Sequence, residues 1–302
     1  MQDPNQLFSF EPGVDPGALP PGVLIVGLGG FIDAGNIQRT LSTHLLDAGE
    51  AEVVASFDVD QLLDYRGRRP MMVFDRNHWA SYEDPAILLY RLTDRDGQTY
   101  YVITGPEPDY QWERFTEALR EVMALLGITL AVTTHGIPMG VPHTRPVGMT
   151  AHASDARLIG ETESPFGKVQ VPASIAALLE LRLGESGRDA IGFAIHVPHY
   201  LAQAEWAEGA LTALNAIVDH TGLNLPNDDL VTKAGLNTRD IARELADNTD
   251  AAQLVRALEQ QYDAFTEGQV RPSLLATEAS ELPSAEQLGA EFEEFLRNNP
   301  EA

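Results

Sequence analysis

Cysteine is absent from the 302-residue chain. Disulfides, thiolate catalysis and cysteine-ligated zinc are excluded with it. Basic residues are scarce: lysine and arginine number 20 against 45 aspartates and glutamates, for a formal net charge of -25. Nucleic acid and anionic membrane surfaces both need a basic footprint, so neither is an expected partner. The acidic balance favours solubility and suits a salt-tolerant or high-turgor cytoplasm. Long apolar runs are missing as well. The longest, near Val122 to Val132, is interrupted by Gly127 and Thr129 and is too short to span a bilayer. The opening MQDPNQLFSFEPGVDPG has no basic region and no apolar core, so a secretory leader is not expected and a cytoplasmic location is. No internal repeat or low-complexity tract is present.

The organising stretch is Val23 to Asn36. Four apolar residues without alternation suit a strand buried on both faces. They run into Gly27, Gly29 and Gly30, which permit a tight turn, positive φ and close backbone approach. Asn36 is the expected N-cap of a following helix carrying Ile37, Leu41, His44 and Leu45 at helical spacing. A helix N-terminus after a glycine-rich turn can hold an anion. The dinucleotide fingerprint is nevertheless broken, because Ile32 stands where glycine or alanine is required, and no Lys-Ser/Thr pair follows. Asp58 and Asp60 end the next strand, where a ribose-binding acid can lie, although acids at strand ends are common.

Residues 1–21, rich in Pro, Gly and Asp, read as an arm without elements of its own. Glu52–Phe57 reads as a second strand. Leu62 to Pro70 reads as a loop, and its Arg66-Gly67-Arg68-Arg69 cluster is suited to an acidic partner segment, an anion or internal ion pairs. Two strand-like runs flank Asp96-Gly97 and form a β-hairpin, which makes the sheet mixed. Asp109 is the expected cap of a helix with Trp112, Phe115, Leu119, Val122 and Leu126 inward, and Thr129 to Thr134 returns as a buried strand.

Residues 135–155 read as a long ordered loop at a strand end, held by prolines and glycines. His135, His143 and His152 lie close in sequence, but no His-x-His or His-x-x-x-His pair exists and no carboxylates are interleaved, so no metal site is expected. Arg145 beside Pro146 suits an anion or carboxylate clamp, or a pin on a backbone carbonyl. Gly-x-Ser-x-Gly is absent, which removes a nucleophile elbow. Pro172 reads as the start of a helix, and Ala190 to Val197 as a core strand. His196 and His199 at its carboxyl end are either acid–base groups or structural hydrogen-bonding partners. From Leu225 strands stop and short acidic helical segments follow. Leu254, Leu258, Tyr262 and Phe265 make one stripe; Ser284 to Gln287 is a capping box before Leu288, Phe292, Phe295 and Leu296.

The strand-Gly-Leu-Gly-Gly-Phe-x-Asp-Ala-Gly segment (23–35), Phe57-Asp58-Val59-Asp60, Thr-Gly-Pro-Glu-Pro (104–108), His143-Thr144-Arg145-Pro146 and Ala151-His152-Ala153 together resemble the proteasome assembly chaperone 2 family. The likeness is greatest to its actinobacterial members and covers roughly residues 20–270. The resemblance implies a three-layer α/β/α fold of the phosphorylase/hydrolase-like kind with a mixed sheet. On that basis the chain divides into an arm (1–21), an α/β core domain (22–224) and a helical C-terminal appendage (225–302). It also implies a scaffold acting through protein–protein contacts, as a homo-oligomer such as a trimer or with another cytoplasmic protein. No catalytic residue, cofactor or metal is expected. The alternative, by analogy of fold, is a phosphorylase- or hydrolase-like enzyme acting on a nucleoside or other small anion. Its candidate ligand-binding residues are Gly29, Gly30, Asp33, Asn36, His143 and Arg145. The chain ends Asn299-Pro300-Glu301-Ala302, not the hydrophobic–tyrosine–any-residue tail often used to engage proteasomes, so that docking mode is not expected.

Overall fold

The computed structural model describes residues 3–160 and 167–266. Strand β1 (Phe8–Phe10) precedes β2 (Val23–Gly29), α1 (Ile37–Asp47), β3 (Glu52–Phe57) and the single-turn α2 (Val59–Leu62). A detached hairpin, β4 (Met72–Asp75) with β5 (His78–Tyr82), comes next. It is followed by β6 (Ile87–Thr93), β7 (Thr99–Pro106), α3 (Trp112–Leu125), β8 (Leu130–Met139) and β9 (Met149–Ala153). The chain continues with α4 (Ile175–Glu185), β10 (Asp189–Pro198), α5 (Ala207–Thr221), α6 (Asp228–Asp247) and α7 (Thr249–Thr266).

Eight strands form one sheet in the order β1-β3-β6-β7-β2-β8-β10-β9. Its centre is parallel: β2 pairs β7 and β8, and β8 pairs β10 in parallel. The flanks are antiparallel, with β6 against β7, β3 against β6, β1 against β3 and β9 against β10. Parallel strands need both faces covered, which explains the unalternating apolar runs. On one face Ile25, Val102, Val132 and Phe193 pack against Ile37, Leu41 and Leu45 of α1 and Leu214 and Ile217 of α5. On the other, Leu24, Val26, Ile103 and Ala131 meet Phe115, Leu119 and Val122 of α3 and Leu179 and Leu183 of α4. Each such fully buried aliphatic side chain contributes about 2 kcal/mol by leaving water. The result is the three-layer α/β/α fold with a mixed sheet.

Local expectations change in several places. Gly27, Gly29 and Gly30 do not adopt positive φ; Gly35 does, at 69°. Gly27 instead serves close approach, since a Cβ there would lie 2.2 Å from the Ser42 hydroxyl of α1. Asn36 is left-handed and makes no side-chain cap. Asp109 does not cap α3, whose N-cap position is Gln111; its carboxylate accepts from the Asp64 amide and pairs with Arg68. Pro172 precedes α4 by three residues, and Ser174 is the cap, accepting from the Ala177 amide. The expected loop from residue 135 is shorter, because β8 runs on to Met139 and β9 begins at Met149, both held by β10. The arm contributes β1 and the fully buried Leu7.

Beyond Leu225 the helices are longer than expected. Leu230 and Ile241 of α6 join the core next to α5. In α7, Val255 and Leu258 are the buried positions, while Leu254 of the expected stripe is exposed. The capping box at Ser284 and the stripe after it lie outside the described residues.

Candidate functional site

The carboxyl ends of β2, β7, β8 and β10 meet at one edge of the sheet, where the loop Gly30–Asp33 leaves β2. Asp33 is the centre of this edge. Its Oδ1 accepts from the amides of Gln38 (3.0 Å) and Gly136 (3.2 Å), and its Oδ2 from the amide of Arg39 (3.2 Å). One carboxylate therefore caps α1 and ties it to β8. Burial raises the Asp33 pKa above the usual carboxylate range, and those amides act against that rise. The helix N-terminus that could receive an external anion already holds this internal one.

Beside Asp33 lies an open cleft of about 330 Å³ lined by Gly27, Gly29, Arg39, Ser42, Thr104 and others of α1 and β7. Of the sequence-predicted residues, Gly29 and Asp33 line it; Gly30, Asn36, His143 and Arg145 do not. Asn36 donates its amide to the Asp33 carbonyl (3.1 Å). Asp58 caps α2 through the Asp60 amide (3.2 Å), and Asp60 accepts from the Tyr65 hydroxyl (2.7 Å). Both acids are thus committed to local structure.

The second candidate group sits on the loop between β8 and β9. The Tyr200 oxygen accepts from the His143 amide (2.9 Å) and lies 2.7 Å from His143 Nδ1. The pair is thus joined by one hydrogen bond whose donor depends on the imidazole tautomer. Burial lowers the His143 pKa and raises that of Tyr200. Arg145 reaches α7: Nε and Nη2 donate to Asp263 Oδ1 (2.7 Å) and Oδ2 (2.6 Å), and Nη1 to Glu259 Oε1 (3.3 Å). Thr144 also donates to Glu259. The clamp expected of Arg145 exists, but its carboxylates belong to the same chain.

A third group lies on the α4 side of β8, β9 and β10. His152 Nδ1 is 2.8 Å from Glu180 of α4, and Thr150 Oγ1 is 2.8 Å from His196 Nε2. Together they fasten the edge strand β9 to its neighbours. Burial, with His152 nearby, pushes the His135 pKa down from 6.5 to about 4, so its ring is neutral. Among the described residues, no cluster of three or more His, Asp or Glu is placed to hold a metal.

The β4–β5 hairpin was not anticipated. Its register places Met72 opposite Tyr82 and Phe74 opposite Trp79, with a bulge after Val73. These four therefore share one face, and Phe74 and Trp79 meet edge to face with centroids 5.0 Å apart. That face is turned to water: Trp79 is 64% and Phe74 55% exposed. Arg76, in the turn between the two strands, pairs with Asp75, and Arg66 and Arg69 are exposed on the segment that leads into β4. Trp79, Tyr82 and the strand-prone Met72–Phe74 were the available signals. The bulge hid them, because Trp79 and Tyr82 share a face at a spacing of three, not two.

The PAC2 family model matches residues 27–245. No curated protein matches the chain. Among solved structures, Rv2714, a Mycobacterium tuberculosis protein of unknown function, is 38% identical, with TM-score 0.82 over 87% of this chain and 90% of its own. A Corynebacterium glutamicum protein of unknown function is 32% identical, with TM-score 0.80 over 88% and 100%. The Mycobacterium tuberculosis proteasome-assembly chaperone homologue Rv2125 is 24% identical, with TM-score 0.69 over 77% and 99%.

Proposed function

The chain belongs to the PAC2 family, and from that premise we propose that it is a chaperone-like scaffold acting through protein–protein contacts as a cytoplasmic homo-oligomer. The carrying observation is the state of Arg145, the strongest anion receptor singled out from the sequence, whose guanidinium is engaged by Asp263 and Glu259. Asp33 is spent in the same way on α1 and β8. Groups that an enzyme would hold ready for substrate are here used to fasten elements together. The exposed aromatic face of the hairpin has the opposite character, and its Trp, Tyr, Met and neighbouring Arg are the residue types that dominate interface cores. The role named for the mycobacterial chaperone homologue is consistent with this reading. A trimer is the first assembly to look for, and a second cytoplasmic protein is the further partner.

Native mass spectrometry together with a thermal-shift screen of phosphate and nucleosides tests the proposal. A defined oligomer with no small-molecule shift is expected. A shift of several degrees with phosphate or a nucleoside, abolished by Arg145→Ala, would replace the scaffold by an enzyme.

A further inference from the structure

Strands β2 and β7 are parallel neighbours, yet the chain leaves β2 for α1 on one face of the sheet and leaves β7 for α3 on the other. Where connections part in this way a crevice opens at the carboxyl ends of the strands, and ligands of open α/β sheets lodge there. The cleft of about 330 Å³ between α1 and β7 occupies that place, at the lower end of the volumes of small-molecule sites.

The side chains that line it depart from the pattern at Asp33 and Arg145. Gln38 and Ser42 stand one helical turn apart on α1 and are only 7% and 8% exposed. Arg39 and Thr43 form a second, exposed row beside them, and Thr104 of β7, in register with Gly27, lines the strand side. None of these five side chains has a hydrogen-bond or ion-pair partner among the described residues. Helical hydroxyls elsewhere are satisfied by their own backbone: Thr212, Thr221, Thr232 and Thr238 each donate to the carbonyl four residues back. Ser42 and Thr43 do not. Buried polar side chains are ordinarily paired, so Gln38 and Ser42 call for a partner from outside the chain. The amides at the start of α1 play no part, because Asp33 already accepts from those of Gln38 and Arg39.

We propose that this cleft binds a small carboxylic acid that carries an amide beside a short apolar body. Arg39 is the only cation among the lining residues, and its planar guanidinium matches a carboxylate through two parallel hydrogen bonds. Asp33 in the same wall opposes a second negative charge, which favours a monoanion over phosphate. Gln38 and the hydroxyls of Ser42 and Thr104 both donate and accept, as an amide requires. Leu46, one turn beyond Ser42, supplies the apolar contact. The site goes beyond the scaffold reading and does not rest on it.

The experiment is isothermal titration of the full chain with N-acetyl-leucine to millimolar concentration, beside neutral N-acetyl-leucinamide, inorganic phosphate and a longer peptide ending in leucine. Wild type is expected to bind the free acid and to bind the leucinamide at least about tenfold more weakly, a difference of 1.4 kcal/mol. Arg39→Gln, at an exposed position, should leave circular dichroism unchanged and weaken the acid by about the same factor. Ser42→Ala and Thr104→Val should each weaken it severalfold, and Arg243→Gln, exposed on α6, should bind as wild type does. No heat with N-acetyl-leucine, equal binding of the leucinamide, or indifference to Arg39→Gln overturns the proposal. Binding of phosphate or of the longer peptide in place of the free acid overturns it as well. Native mass spectra decide the homo-oligomer separately, so either reading can fail while the other stands.

Discussion

The sheet edge around Asp33 and the β4–β5 hairpin are opposites. At the edge, polar groups abound and their partners are already inside the molecule: Asp33 holds three amides, and Arg145 holds Asp263 and Glu259. On the hairpin, apolar groups abound and face water. A chemically suggestive residue engaged within the chain serves the fold; a bland one facing water is open to a partner, which is the reading proposed above. The two regions teach that a group's partners, as well as its type, decide what it is free to do.

The widest expected effect contrasts two tryptophans. Trp206, 2% exposed, lies in the core beside α1 and α5. Trp206→Ala should lower unfolding free energy by about 3–5 kcal/mol in urea titrations. If Trp206 proved dispensable, the contrast between region types would collapse.

Next is Asp33→Ala, which strands the amides of Gln38, Arg39 and Gly136. A loss of about 2–3 kcal/mol in the same titration is expected. Asp33→Asn should cost less, since one acceptor oxygen survives. A neutral result for Asp33→Ala would return that carboxylate to the list of ligand-binding groups.

Acid sharpens the picture further. His135 titrates near 4 when folded, against an ordinary 6.5. The unfolded chain therefore takes up its proton first, and His135 contributes stability that is intact above pH 6.5 and declines as pH falls towards 4. His135→Gln should flatten the dependence of the urea midpoint over that window.

Arg145→Ala acts more locally. Amide exchange in α7 should accelerate with little change in the core, and salt should produce part of the same effect in wild type. Lowering pH works in that direction too, because the Asp263 carboxyl, held below its usual range by Arg145, is neutralised only in acid. Smallest of all, Trp79→Ala should change protomer stability by under about 0.5 kcal/mol, since Trp79 is 64% exposed.

Much of the fold was legible. Val23–Val26 and Ala190–Val197 lie in central parallel strands, and such strands announce themselves as unbroken apolar runs. Glu52–Phe57 fell where expected. The hairpin about Asp96-Gly97 was legible because turn chemistry is local: Asp94 accepts from the amides of Asp96 and Gln98. Partners remote in sequence were not legible. Nothing near Asp33 announces Gly136, and nothing near Arg145 announces Asp263. Asn36 looked like the cap because its residue type suits the role, but Asp33 lies closer to the free amides and takes them. The β4–β5 ribbon escaped because its bulge breaks the period of two on which strand reading depends.

The strand order carries a consequence for biosynthesis. Val23–Val26 of β2 are made before either of their neighbours, for one is β7 and the other, Leu130–Thr133, arrives later still. Until β8 has left the ribosome, the middle of the sheet has an open, strongly apolar edge. A nascent chain halted before Leu130 is thus a template for mispairing, and this topology folds slowly because its central contacts are distant in sequence.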